Sequence, residues 1–321
     1  MPESRLMKLI FLLSKHNLEL SKAEVLSIFP GKNQLIDNLL FLDTKKVYFD
    51  RLAYTKAVYQ HLFICNKKTL ERAIKKFDWN KYYEHSFAVR SSGKGHIKDS
   101  KIADLVWDYL DKPLVDLVNP KTEFHFFFAK DKIYCGLLLN PLDEPFEDRK
   151  AHLRPMLHPT SLHPRLARCL VNLTGAISTQ NTVVDPFCGT GGILIEAGLM
   201  DFKTIGYDID DLMLKRADKN LKHFKVKFDL RKKDATKIKI KYNYFVTDLP
   251  YARSSKKIDL EKVYSAFLKN LKKVLKKRAV VCFPSFINHK KFIKASKLKL
   301  VAEYSYYLHK SLSKTICVLE P

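Results

Sequence analysis

Phe245-Val246-Thr247-Asp248-Leu249-Pro250-Tyr251 places a carboxylate, a backbone carbonyl and an aromatic ring at the end of an apolar run. An exocyclic amine of a nucleobase is a poor nucleophile, because its lone pair is delocalised into the ring. Two acceptors, the Asp248 carboxylate and the Leu249 carbonyl, can draw its two N–H bonds and localise that pair. Pro250 restricts Leu249 to an extended backbone that aims the carbonyl outward. Tyr251 offers a stacking face to a base taken out of its stack. The plain structural reading of the segment is a polar exit from a strand.

A second cluster, Val183-Val184-Asp185-Pro186-Phe187-Cys188-Gly189-Thr190-Gly191-Gly192, runs from an apolar strand into a glycine-rich turn that opens a helix. Glycines let a backbone approach a ligand closely. The spacing differs from the Gly-x-Gly-x-x-Gly of dinucleotide sites. Asp185 can accept from an ammonium group and would repel a pyrophosphate, which favours S-adenosylmethionine as cofactor. Phe187, Gly189, Thr190 and Gly191 are the expected neighbours of that ligand. The next strand ends Tyr207-Asp208-Ile209-Asp210, about twenty residues on, where a carboxylate can hold the two ribose hydroxyls. Asp208 is the expected acceptor, with Ile209 beside it, and Asp210 suits a helix N-cap. Asp234-Ala235 follows a third strand, where Asp234 could receive the adenine amine or simply belong to a surface loop. The methyl group of such a cofactor is already activated, so catalysis reduces to placement and charge.

These segments need a common crevice, and the surrounding pattern supplies one. Strand-like runs at Thr182–Pro186, Thr204–Ile209, Lys225–Leu230, Tyr242–Thr247 and Ala279–Phe283 are separated mostly by helical patterns, which predicts a parallel sheet. Leu162, Leu166, Leu170, Leu173 and Ile177 mark a helix with Pro164 in its first turn. Leu260–Leu275 shows an apolar face opposite several lysines. Val301–Leu308 and Thr315–Leu319 read as a terminal antiparallel hairpin around a short polar turn. In the first half, Leu70–Phe77 and Ile102–Tyr109 have helical spacing, Ser86–Val89 reads as a strand, and Thr122–Phe128 with Ile133–Leu139 reads as a hairpin. Asn140–Pro145 and the charged run Glu147–Lys150 read as a linker.

The charge is the unusual bulk property: 58 basic against 34 acidic residues, a net +24. Such an excess fits a polyanionic partner, with lysines contacting phosphates more than bases; a lysine-rich proteome is the alternative. Lys67, Lys68, Lys75, Lys76, Arg90 and Lys94 are the expected RNA contacts of the first half, where Phe126 and Phe127 put one ring toward the core and one toward RNA. Six scattered cysteines without a Cys-x-x-Cys pair predict neither a zinc site nor a disulfide framework, so no metal is expected. Leu9–Leu13 is too short to span a bilayer and lacks a small-residue cleavage site, so no signal peptide and a cytoplasmic location are expected.

The motif residues resemble class I methyltransferases that modify exocyclic amines, and Asp248–Ser255 is similar to the extended motif of the archaeal tRNA guanosine-10 N2-methyltransferases. Arg154–Leu162, Pro164–Arg168 and Leu308–Leu312 are also similar to that family. Leu52–Lys56, Phe87–Arg90 and Asp116–Thr122 resemble its THUMP region, an RNA-binding domain. The resemblance implies an α/β chain with a ferredoxin-like segment over residues 1–50, a THUMP-like domain over 51–140, a linker over 141–158 and a Rossmann-like methyltransferase domain over 159–321. It implies that His158, Pro159 and Thr160 join the cofactor side, that Arg253 meets RNA, and that Asp248, Leu249, Pro250 and Tyr251 carry catalysis. The implied activity is methylation of a tRNA guanine N2, with one or two methyls added. Leu249 stands where the commonest motif of the amine-modifying methyltransferases, Asp/Asn-Pro-Pro-Tyr/Phe, has proline. Rival readings are an N2-methyltransferase for another tRNA or ribosomal guanosine, a DNA amine methyltransferase, and a non-catalytic RNA-binding subunit. A small activating subunit is compatible with the resemblance, and no docking patch for one is read.

Overall fold

The computed structural model describes residues 6–45, 48–158, 161–251, 259–309 and 312–321. Two compact units emerge, and neither follows the chain in one piece. One holds residues 1–18, 29–50 and 55–143; the other holds 19–28, 51–54 and 144–321.

The first unit is built on β1 (Met7–Leu13), β2 (Asn33–Ile36), β3 (Leu39–Thr44), β4 (Thr55–Cys65), β5 (Phe87–Gly93), β6 (Thr122–Ala129) and β7 (Lys132–Pro141). They form one sheet in the order β2-β3-β1-β4-β7-β6-β5. Neighbours are antiparallel except β5 and β6. The expected boundary at residue 50 therefore separates strands of a single sheet, because β4 pairs with both β1 and β7. The apolar stretch Leu9–Leu13 lies in β1, an interior strand of this sheet. Helices α2 (Leu70–Lys76) and α3 (Asp99–Trp107) cover one face, where Leu70, Ile74, Ile102, Val106 and Trp79 pack on Phe124, Phe126 and Phe128. On the other face Phe127, Tyr59, Tyr134 and Ile10 form a second core.

The second unit begins with α1 (Leu18–Ile28), whose Glu19–Ile28 pack here. Glu24 is fully buried and accepts from the amides of Ala53 and Tyr54, both at 2.8 Å, and from Asn172 Nδ2 at 2.6 Å. Residues 51–54 are thereby fixed to α4 (Pro164–Leu173), a helix with proline at its first position and the His163 ring accepting from the Arg165 amide. The rest alternates strand and helix: β8 (Thr182–Asp185), α5 (Gly192–Leu199), β9 (Lys203–Asp208), α6 (Asp211–His223), β10 (Phe228–Lys232), β11 (Tyr242–Asp248), α7 (Leu260–Val274), β12 (Leu275–Pro284), α8 (His289–Ser296), β13 (Lys299–His309) and β14 (Leu312–Glu320).

The sheet order is β10-β9-β8-β11-β12-β14-β13, parallel from β10 to β12, with β14 reversed between β12 and β13. The order turns over between β8 and β11, so a crevice opens at their carboxyl ends. Apolar residues cover both faces, as they must in a buried parallel sheet. Residues 144–158 do not behave as a solvated linker. Phe146, Arg149 and Arg154 are buried, and Glu196 on α5 accepts from both Arg149 and Arg168. Among the described residues no helix is long and apolar enough to cross a membrane.

Candidate active site

Three of the four expected segments reach the crevice from adjacent strands. β8 ends at Asp185, which is buried and, among the described residues, accepts on Oδ1 from the Phe187 amide at 3.1 Å and the Thr247 hydroxyl at 2.7 Å. Burial pushes its carboxyl up to about 7, against the lowering by those two donors. The turn that follows bends through Gly189 (φ 50°) and Gly191 (φ 85°), conformations costly for any side chain. At Gly189 a side chain would meet nothing within 4 Å, so the backbone itself borders open space. Asp208, at the end of β9, accepts from the Gly189 amide at 2.8 Å and the Asp210 amide at 3.0 Å. Burial raises its carboxyl, and those amides oppose the shift. Asp210 caps α6 by accepting from the Leu212 amide; Ile209 is exposed.

Asp234, expected either to receive the adenine amine or to belong to a surface loop, begins a short turn. Its Oδ1 accepts from the amide and the hydroxyl of Thr236 at 2.9 and 2.7 Å, capping the short 3-10 turn that begins at Ala235. Ala235 is buried, its carbonyl accepting from Asn270.

The fourth segment follows β11. Asp248 and Thr247 are consecutive, so the Thr247–Asp185 hydrogen bond ties the strand carrying one motif to the strand carrying the other. Leu249 is fully buried and its amide donates to the Cys282 carbonyl at 3.1 Å. Proline could not make that bond, and the anchor replaces its rigidity. The Pro250 carbonyl accepts from the Tyr264 hydroxyl on α7. Tyr251 is half-buried.

Four residues that carry no role in the sequence pattern belong to the site. Lys314 on β14 is 1% exposed, and its ammonium donates to both oxygens of Asp248, at 2.6 and 2.7 Å. The same nitrogen sits 4.2 Å from the Tyr251 ring centroid. Its only sequence signal is register: Lys314 occupies the row of Ile316 and Val318, which face the core. Asn220, fully buried in α6, accepts from the Met156 amide at 2.9 Å and donates to the Met156 and Thr190 carbonyls, both at 3.1 Å. It clamps the segment before His158 onto the glycine turn. Ser161 adds a hydroxyl contact to Thr190 at 2.9 Å. Arg154, 4% exposed, bonds the Arg149 carbonyl through Nε, while Nη1 and Nη2 are buried with no hydrogen-bond partner among the described residues. Its Nη1 lies 3.1 Å from where a Cβ on Gly192 would stand, at the start of α5.

These groups fit an amino acid joined to a nucleoside. The orphaned Arg154 guanidinium suits a carboxylate, Asp185 Oδ2 suits an ammonium, and Asp208 suits ribose hydroxyls beside an open glycine backbone. Pro159, Thr160 and Arg253 lie outside the described residues; the His158 carbonyl accepts from the Ser161 amide.

In the first unit Lys67, Lys68, Lys75, Lys76 and Lys94 are exposed. Arg90 donates to the Leu117 carbonyl at 2.7 Å and pairs with Glu123 at 3.6 Å, and its side chain stays 34% exposed. Phe126 and Phe127 are both buried, since both faces of the sheet are covered, so neither ring is offered to RNA.

A family model described as RMKL-like, methyltransferase domain, matches residues 151–314. A tRNA (guanine(10)-N2)-dimethyltransferase of Methanothermobacter thermautotrophicus is 31% identical over 98% of this chain and 99% of that protein. One of the same name from Pyrococcus abyssi is 34% identical over 64% of each chain. The crystal structure of TrmN from Thermus thermophilus shares the fold, with a TM-score of 0.52 at 18% identity over 98% of this chain and 99% of that one.

Proposed function

We propose an activity from the premise that this chain belongs to the tRNA (guanine(10)-N2)-dimethyltransferase family: it transfers methyl groups from S-adenosylmethionine to the exocyclic N2 amine of a tRNA guanosine, guanosine 10 being the target. One observation carries the reading. The hydrogen bond from Thr247 to Asp185 joins the residue before the amine-binding carboxylate to the carboxylate of the cofactor turn. Donor and acceptor sites thus share one rigid junction between β8 and β11.

S-adenosylmethionine, when bound, supplies a sulfonium methyl that needs no further activation. Arg154 and Asp185 hold its amino-acid end, and Asp208 holds its ribose, with Asp210 kept to its capping role. Asp248 and the Leu249 carbonyl accept from the guanine amine, and Tyr251 stacks on the extruded base. An amine that has gained a methyl carries a surplus proton, and Asp248 is the acceptor placed to take it. A once-methylated amine keeps one N–H for the same pair, which suits two successive transfers. The exposed lysines of the first unit, in the part resembling a THUMP domain, hold tRNA phosphates. The enzyme meets its tRNA in the cytoplasm.

Nucleoside mass spectrometry of an unmodified tRNA transcript tests this. N2-methylguanosine and its dimethyl form should accumulate with the wild type. Asp248→Asn should slow transfer by about 10²–10³-fold, as loss of one preorganised charged partner does, with S-adenosylhomocysteine affinity within about threefold. Full activity in that variant, or methylation of another base, refutes the assignment.

A further inference from the structure

We propose that Lys314 is a positioning residue of this site: its ammonium holds the Asp248 carboxylate anionic and in a single orientation, and fixes the Tyr251 ring, before the guanine enters. The inference rests on the functional reading above for the role of Asp248, but on its own geometry for the pairing.

The contact is two-pronged. Both oxygens of Asp248 meet the one ammonium nitrogen, which pins the side chain more firmly than a single bond would. Each carboxylate oxygen has a second lone pair, so an amine can still bind. Lys314 itself is 1% exposed and Asp248 14% exposed, so water screens the pair little. Lysine is seldom buried without a reason. Here it stands in an apolar row of β14, opposite Pro284 on β12 and Tyr306 on β13. The remaining ionisable neighbours give Asp248 no help. Asp185 on β8 repels it, while Cys282 on β12 and Tyr264 on α7 are pushed up by burial and stay neutral. Among the described residues Lys314 is the cation that meets Asp248. Burial raises the Asp248 carboxyl, and Lys314 opposes that shift. Without the ammonium, burial would act on this carboxyl unopposed and favour its protonated form, a weaker acceptor for the amine.

The sign of the effect follows. The working form of Asp248 is the anion, so activity is present above its titration and lost below. Removing Lys314 must move that acid limb to higher pH. A buried lysine that only supported packing would lower stability or rate without moving the limb.

The test is the pH profile of kcat for wild type, Lys314→Met and Lys314→Gln on tRNA. A parallel titration follows the Asp248 carboxyl carbon by NMR in the RNA-free enzyme. The expected result is a kcat at pH 7 reduced at least about tenfold, a KM for tRNA within about threefold, recovery at alkaline pH, and an upward-shifted Asp248 titration. Lys314→Arg keeps the charge and should keep the wild-type limb. If the glutamine and methionine variants superimpose on the wild-type limb and titration, the proposal is overturned. The NMR arm separates the two claims. An upward shift supports the pairing even if no guanosine is methylated, and an unmoved titration overturns it even in an enzyme that methylates tRNA well.

Discussion

Among the described residues Arg154 has the most buried nitrogens without a partner, which makes it the most informative. A buried guanidinium with two unpartnered nitrogens costs free energy that a bound carboxylate would offset. Arg154→Met should weaken S-adenosylhomocysteine binding about 10–100-fold, the loss expected from one or two charge-assisted hydrogen bonds. The affinity of 5′-methylthioadenosine, which has no amino-acid end, should stay unchanged in calorimetry. Equal losses for both ligands would show that Arg154 supports the turn and does not read the carboxylate. At this scale Asp185, Asp208 and Asp248 were legible because each ends a strand beside a glycine, a turn or a proline. Lys314, Asn220 and the role of Arg154 were not. A lysine among so many carries no local mark, and an asparagine inside a helix reveals its three bonds only when the segment at Met156 lies against it.

Elements explain the departure at Leu249. Its amide and its buried side chain both anchor the turn after β11, so a proline at this position would be a loss in this chain. Leu249→Pro should remove the bond to Cys282, leave that carbonyl buried and unpaired, and open a gap where the leucine packs. A destabilisation of about 2–4 kcal/mol follows, visible in thermal unfolding, together with a lower kcat. A proline variant as stable and active as the wild type would show that the anchor is redundant. The alternating strands and helices after Pro164 were readable from period alone, as was the amphipathic α7, which buries Tyr264, Phe267, Leu268, Leu271 and Val274. β1 to β3 were not read, although Asp37-Asn38 between β2 and β3, with Asp37 at φ 53°, is turn chemistry that marks a two-residue hairpin. Residues 144–158 were misread for a physical reason: a charged run usually signals solvent, but Glu196 sits inside to receive Arg149 and Arg168.

For the whole molecule, the chain order hides how the parts depend on one another. Helix α1 and residues 51–54 pack into the same unit as the methyltransferase sheet, so a fragment starting at residue 140 would lose Glu24 and its three hydrogen bonds. The role of the first unit is better tested in the intact protein, by reversing Lys67, Lys68, Lys75 and Lys76 to glutamate. If these meet phosphates, tRNA affinity should fall and the log–log salt slope should shrink by about two to four units, with S-adenosylhomocysteine binding unmoved. An unchanged slope would place the RNA elsewhere. The net +24 made a polyanion legible from composition; which lysines face it was not, because charge carries no periodicity. The methyl acceptor proposed for this site is an exocyclic amine drawn by Asp248 and the Leu249 carbonyl. The most direct measurement is labelled methyl transfer from S-adenosylmethionine to two tRNA transcripts, one with guanosine at position 10 and one with inosine there, identical but for the missing 2-amino group. Both should bind comparably, and only the guanosine transcript should gain label; methyl transfer to inosine-10 tRNA at a similar rate would contradict the account.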